Sequence, residues 1–302
     1  LWDTENGPDN YDEINLVKSG FNSGWKIVMG PIDRNYLETD TSQIISQPIE
    51  NFVYSDPEFS WYEPIAATAI EFPNNHIFGK YSDWLFVGDF NNGNIYKFHL
   101  NADRTGFVFS NPELSDLVLD TNEEMDENIF ASNFKGITDI EFHTTNSDII
   151  FAGSKGNTSV CKSLDNGINW SQSGSGLPSN NDVSRACIAV TNDNPNVVYA
   201  LFSSTDDSFH GLYKSIDSGD NWTLQSNTPN ILGRETDGSD TGGQAWYDLS
   251  LGVSTNEENH LYVGGINLWE SVDGGQSWDI NASSGSSSNY SYMHVDQHAI
   301  EF

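Results

Sequence analysis

Apolar and polar positions alternate in short runs through the second half of the chain. The runs read Ile-Thr-Asp-Ile-Glu-Phe over 137–142, Ala-Cys-Ile-Ala-Val over 186–190 and Asp-Leu-Ser-Leu-Gly-Val over 248–253. Successive side chains leave a β-strand on opposite faces, so a period of two predicts half-buried strands rather than helices. A second apolar run follows each after an Asn-rich turn (148–153, 197–202, 260–264). A third comes after that (160–163, 212–215, 268–271).

Each third run enters the same phrase: Ser163-Leu-Asp165-Asn-Gly167-Ile-Asn-Trp170, Ser215-Ile-Asp217-Ser-Gly219-Asp-Asn-Trp222 and Ser271-Val-Asp273-Gly-Gly275-Gln-Ser-Trp278. Asp217 follows Asp165 by 52 positions and Asp273 follows Asp217 by 56, a period in the range of propellers and other arrays. The phrase predicts a hairpin turn. Its Asp accepts from backbone amides two or three residues on, its Gly takes φ > 0, and its Trp caps the hydrophobic layer once the chain has reversed. A fourth strand is expected to begin at the Trp, and four short strands per unit make a propeller blade. The predicted class is therefore all-β, a β-propeller of four-stranded antiparallel blades. At about 50 residues per blade, 302 residues allow roughly six blades or a fragment of a larger array.

These phrases resemble the Asp-box (BNR) repeats of sialidases, sortilin-type receptors and related secreted propellers. The resemblance implies that Asp165, Gly167, Trp170, Asp217, Gly219, Trp222, Asp273, Gly275 and Trp278 are structural. It places them on the blade rim, away from the central channel where such propellers bind ligands.

The first 142 residues carry no such phrase. They read Glu5-Asn-Gly7-Pro8, then Asp12-Glu13-Ile-Asn15, then Gly20-Phe-Asn-Ser-Gly24-Trp25. Further on, 84–89 turns through Asn91-Asn92-Gly93 into 95–100, and Gly136-Ile-Thr-Asp139-Ile140 closes the stretch. This order resembles the C-terminal part of the soluble quinoprotein glucose/sorbosone dehydrogenases. The resemblance implies a Ca²⁺ ion held by the Gly7 and Pro8 carbonyls beside pyrroloquinoline quinone, and an Asp12 that orients the catalytic base. The base, a His, and an Arg-Asn pair on the quinone lie upstream of this motif in the family. Where the family has Lys and Arg, this chain has Asn91, Gly136 and Thr138. The quinone's carboxylates would meet few cations, so the quinone is not expected to bind. Ca²⁺ at Gly7, Pro8 and Asp12 remains a candidate.

The dehydrogenase-like part is placed at 1–142 and the Asp-box part at 143–302. No Pro-, Ser- or Gly-rich linker separates them, so the blades are expected to run on from one to the other. Residues 299–302 echo 140–142 and take the first-strand position of a further blade. With its strand pattern starting at Leu1, the chain reads as part of something longer.

Charge narrows the partners. With 44 acidic and 12 basic residues the formal net charge is −32. Such a field repels nucleic acid and anionic lipid and suits a salt-rich or Ca²⁺-containing exterior. No apolar run approaches the roughly 18 residues of a membrane helix. Asn157, Asn169, Asn221, Asn281 and Asn289 each open an Asn-x-Ser/Thr triplet, in keeping with an exported chain. Cys161 and Cys187 fall in neighbouring blades, either as a disulfide or as two free thiols.

Several other groups are candidates for chemistry. His294, Asp296 and His298 alternate, and on one strand they would share a face, as metal ligands or as a hydrogen-bonded cluster. Residues 237–243 resemble part of a Ca²⁺ loop without its terminal Glu, and Glu123, Glu124, Asp126 and Glu127 form an acidic run; both read as solvated loops. Trp61-Tyr62 and Trp246-Tyr247 are candidates for sugar stacking on loops, but packing between blades is commoner and is the expected role of both. Tyr290 and Tyr292, in a Ser-rich loop, read as a ligand-stacking platform. A sialidase needs an Arg triad, and the few arginines here, among them Arg34, Arg104, Arg185 and Arg234, are scattered. The combined expectation is a secreted or cell-surface, non-catalytic propeller module binding glycan or an extracellular protein. The alternative is a Ca²⁺-dependent quinoprotein sugar dehydrogenase or its remnant.

Overall fold

The computed structural model describes residues 1–25, 27–34, 52–73, 76–120, 125–155, 160–179, 181–285 and 289–302. Asn157, Glu123 and Glu124 lie outside these residues. The fold is all-β, a β-propeller built from four-stranded blades, and the described helices are single 3₁₀ turns such as Pro112–Asp116. No described helix is long and apolar enough to cross a membrane. The chain divides into two compact units, Leu1–Gly136 and Ile137–Phe302. The division falls just before the strand Ile137–Phe142, which opens the first blade of the second unit.

In the second unit each blade is antiparallel and follows chain order. The first comprises Ile137–Phe142, Ile150–Ser154, Val160–Ser163 and Trp170–Gln172; the second Val183–Val190, Val198–Ser204, Phe209–Ser215 and Thr223–Ser226. The third comprises Ser250–Val253, Leu261–Gly264, Leu268–Ser271 and Asp279–Ser283, with Ser291–Tyr292 added in parallel to the last. The apolar half of each alternation is buried between successive blades. Phe151 and Val160 of the first meet Ile188 and Phe202 of the second. Leu201 and Leu212 of the second meet Leu251 and Val263 of the third.

First strands lie side by side, Ile137–Phe142 next to Val183–Val190 and that next to Ser250–Val253. A first strand is a sheet edge whose outward N–H and C=O groups have no ladder partner. Polar residues of the preceding blade supply one. The Thr138 hydroxyl donates to Ala186 O at 2.7 Å, and Ile188 N–H donates to the Asp139 carboxylate at 2.6 Å.

The first unit is less regular. One blade is Trp2–Glu5, Asp12–Leu16, Phe59–Trp61 and the parallel Val118–Leu119; the other is Ala67–Glu71, Trp84–Asp89, Ile95–His99 and Ile129–Ala131. Their strands interleave in sequence. Phe21–Asn22 and Val53–Tyr54 form a small parallel pair. Phe59, Trp61, Leu85, Val87 and Phe98 fill the core.

Candidate functional site

The three Asp phrases adopt one geometry. In each the Ser hydroxyl accepts the Gly amide at 2.8 Å (Ser163–Gly167, Ser215–Gly219, Ser271–Gly275) and donates to the Asp carboxylate at 2.8–3.0 Å. The Asp accepts further along than expected, chiefly from the residue four on: Asn169 N–H at 2.7 Å, Asn221 N–H at 2.8 Å, Ser277 N–H at 2.9 Å. Gly167, Gly219 and Gly275 have φ of 84°, 83° and 84°, and Trp222 and Trp278 are buried in the cores between blades. The side-chain amides of Asn169 and Asn221 also donate to the Asp, so these two triplets serve the turns.

Near the start of the chain, Asp12 is 0% exposed. One carboxylate oxygen accepts Gly7 N–H at 2.9 Å and the other accepts Ala66 N–H at 2.6 Å. Burial raises its pKa above the ordinary value, and these amides draw it partway back. As arranged, Asp12 fastens the Gly7–Pro8 turn to the next blade's entry. Gly7 admits no side chain, since a Cβ there would meet Asn10 O at 2.1 Å.

Glu13 lies on the other face of the same strand, paired with Glu5 on one side and Ser60 on the other. It accepts Gly30 N–H and a long bond from the Asn15 amide. Glu5 Oε1, Asn15 Oδ1 and Ser60 Oγ on this face are buried with no hydrogen-bond partner. With little to offset its charge, Glu13 is pushed up to about 7, chiefly by burial and further by Glu5.

Elsewhere in this unit a cleft of about 240 Å³ opens between Trp61, Glu63, Asn92, Tyr96 and Asp120. Asp120 pairs with Arg34 at 2.8 Å.

The C-terminal His-x-Asp-x-His stretch departs from expectation. Residues 294–298 form no strand, and Asp296 has φ 74°, so the alternation that would put three side chains on one face is broken. His294 Nδ1 faces Val295 O at 2.8 Å, Asp296 accepts the Gln244 amide at 3.0 Å, and His298 stands edge-on to Tyr247 at 4.8 Å. Among the described residues no group of three or more His, Cys, Asp or Glu side chains is placed to hold a metal ion. In the 237–243 loop, Asp240 accepts Arg234 N–H at 2.6 Å and so closes the loop on itself.

Cys161 and Cys187 are free thiols. Cys187 donates to Asp139 at 3.1 Å, and burial, with Asp139 beside it, holds its pKa well above the ordinary value. It is therefore no activated nucleophile.

The aromatic pairs divide unexpectedly. Trp61 is buried, as inter-blade packing requires. Trp246 and Tyr247, expected to pack in the same way, are 65% and 45% exposed, and Tyr292 is 70% exposed.

Comparison with known proteins bears on the first unit. Residues 1–132 match the glucose / sorbosone dehydrogenase family model. The chain is also similar to the aldose sugar dehydrogenase YliI of Escherichia coli (strain K12), 27% identical over 104 residues; that match spans 34% of this chain and 27% of that protein. Similar solved structures include the GH74 xyloglucanase from Xanthomonas campestris (TM-score 0.40, 16% identity, 66% of this chain and 28% of that one). They also include YCF48 from Cyanidioschyzon merolae (TM-score 0.41, 14% identity, 73% and 57%). Within the chain, Asn91, Gly136 and Thr138, where the sequence resemblance implies Lys and Arg, have local roles. The Asn91 amide donates to Pro64 O at 3.0 Å, Gly136 packs on the Phe90 carbonyl, and Thr138 is buried on Ala186.

Proposed function

We propose that the chain is a secreted or cell-surface, non-catalytic β-propeller module that binds glycans. The observation that carries this is the state of Asp12. The carboxylate that resemblance assigns to catalysis is wholly buried, and both its oxygens are taken by backbone amides. The repeated Asp, Gly and Trp residues of the second unit are likewise consumed in turns. Among the aromatic side chains open to solvent in the second unit are Trp246, Tyr247 and Tyr292, a side-chain chemistry suited to sugar faces and unsuited to nucleic acid at this net charge.

A second reading, a Ca²⁺-dependent quinoprotein sugar dehydrogenase or its remnant, is favoured by the match over 1–132 and by the intact Gly7–Pro8 turn. Two assays on the purified chain separate them. Glycan-array binding with no aldose-dependent dye reduction in quinone and millimolar Ca²⁺ supports the binding module. Saturable micromolar quinone binding with dye reduction overturns it.

A further inference from the structure

The connection between Thr223–Ser226 and Ser250–Val253 is held from within and by Asn267 of the third blade. The Asn230 amide donates to Asp240 O at 3.2 Å and Gly242 O at 2.8 Å, and the Asn267 amide donates to Gly233 O and Arg234 O. Ile231, Leu232, Ala245 and Leu249 anchor it in the core between the second and third blades. Trp246 and Tyr247 sit between two of those anchors. With Ala245 and Leu249 both buried, the two aromatic side chains are held on the outside.

Their backbone is pinned as well. Gln244 O accepts Tyr247 N–H at 2.8 Å and Asp248 N–H at 3.1 Å, and the Arg185 guanidinium donates to Tyr247 O at 2.9 Å. The two rings lie 5.4 Å apart at 44°, and His298 buttresses Tyr247 edge-on at 4.8 Å. Beside them the Gln244 amide and the Asp296 carboxylate are joined at 3.0 Å.

A rigid, exposed aromatic pair loses little freedom when a ligand stacks on it, and a flanking amide and carboxylate are the groups that read hydroxyls. The net charge of −32 and the carboxylate at the rim disfavour an anionic ligand. We propose that Trp246 and Tyr247 form a stacking platform for neutral pyranose units of an oligosaccharide, with Gln244 and Asp296 hydrogen-bonding its hydroxyls. This rests on the glycan-binding reading and assigns its place, which differs from the Tyr290 and Tyr292 loop expected from sequence.

Calorimetric titration with cellohexaose, laminarihexaose and xylohexaose tests it. The wild-type chain is expected to bind at least one of them. Trp246→Ala should weaken that binding by about tenfold or more with an unchanged melting temperature, Trp246→Phe should retain most of it, and Tyr292→Ala should bind as wild type. If Trp246→Ala binds as wild type, or if Tyr292→Ala is the variant that loses binding, the platform is wrong while the glycan-binding reading stands. If none of the three sugars binds the wild type but sulfated or sialylated glycans do, the neutral-sugar platform falls and the reading survives. If no glycan binds, both fall. Self-association that Trp246→Ala abolishes, without sugar binding, would assign the surface to a second copy of the chain and overturn the proposal.

Discussion

The Ser173 hydroxyl donates to the Gly219 carbonyl at 2.8 Å, carrying a bond from the end of one blade's fourth strand into the Asp217 turn of the next. Trp222 returns it, its indole N–H reaching the same hydroxyl at 3.4 Å. One blade further on, Ser226 repeats both contacts with Gly275 O and with Trp278 at 2.9 Å. The Asp-centred turn therefore fastens blades together as well as reversing the chain. Ser173 is fully buried, so Ser173→Ala takes one of two partners from the Gly219 carbonyl, leaving it the Trp222 indole N–H at 3.2 Å, and removes that indole's contact with the hydroxyl. A loss of about 1 kcal/mol is expected in urea unfolding. Ser171→Ala, at an exposed neighbour, should stay within about 0.5 kcal/mol of wild type. Equal effects would assign the contact no energetic role.

Asp217 carries the turn itself. It accepts the Asn221 side-chain amide and the Asn221 backbone amide, each at 2.8 Å, and its pKa is lowered by these bonds, the side-chain bond first. The residue is partly exposed and solvent screens its carboxylate, so Asp217→Ala should cost only about 1 kcal/mol. A lowered acid contributes stability above its unfolded value and loses it as pH falls through the folded one. The difference between wild type and Asp217→Ala should accordingly be full at neutral pH and vanish well below pH 4, as read from thermal midpoints across that range.

Glu13 has the opposite sign. Its folded pKa of about 7 lies above the ordinary 4.5, so folding takes up a proton there, and stability falls as pH rises from about 4.5 to 7. The full shift corresponds to about 3 kcal/mol. Glu13→Gln keeps an acceptor for Gly30 N–H and removes the titration. It should be more stable than wild type at pH 8, and its melting temperature should vary less between pH 5 and 7. An unchanged pH profile would place the proton elsewhere, with Glu5 or Asp12 the nearest groups.

The strands of the second unit were legible because each blade carries two signals at once, a period-two alternation and a turn phrase at near-constant spacing. The latch was not. Ser173 lies three residues after Trp170 and Ser226 four after Trp222, so the pair has no fixed spacing, and in a Ser-rich chain neither stands out. The first unit's interleaving was hidden for a different reason. Val118–Leu119 and Ile129–Ala131 are too short to show periodicity, and only the sheet reveals that the first completes one blade and the second another. Composition likewise cannot tell a packed Trp61 from an exposed Trp246. That depends on neighbours such as Ala245 and Leu249, whose burial is a tertiary fact.

Two glycines separate backbone need from close approach. A Cβ on Gly275 would meet Leu212 Cδ2 at 2.0 Å, and its φ is 84°. At Gly265 the nearest atom is 3.6 Å away. Gly275→Ala should cost at least about 2 kcal/mol through strain and overpacking together, and Gly265→Ala much less. Comparable losses in denaturant would show that the turn relaxes around the new methyl group.

Asp12 offers the sharpest division between a structural and a catalytic carboxylate. Its two oxygens face two backbone donors, Gly7 N–H and Ala66 N–H, and Ala66 is held at φ 54°, a conformation that needs outside support. Asp12→Asn preserves shape but turns an amine toward one of those N–H groups, leaving two buried donors opposed. The expected result is a loss of about 2–3 kcal/mol in unfolding free energy, on the scale of one unsatisfied buried group with added repulsion. Asp12→Ala should do at least as much harm. Neither should change neutral-saccharide binding in the fraction that stays folded, because Asp12 lies in the first unit and the aromatic platform in the second. A stable Asp12→Asn that abolished an aldose-dependent dye reduction seen in wild type would reverse the assignment. The carboxylate would then belong to chemistry, and the turn it fastens would be secondary.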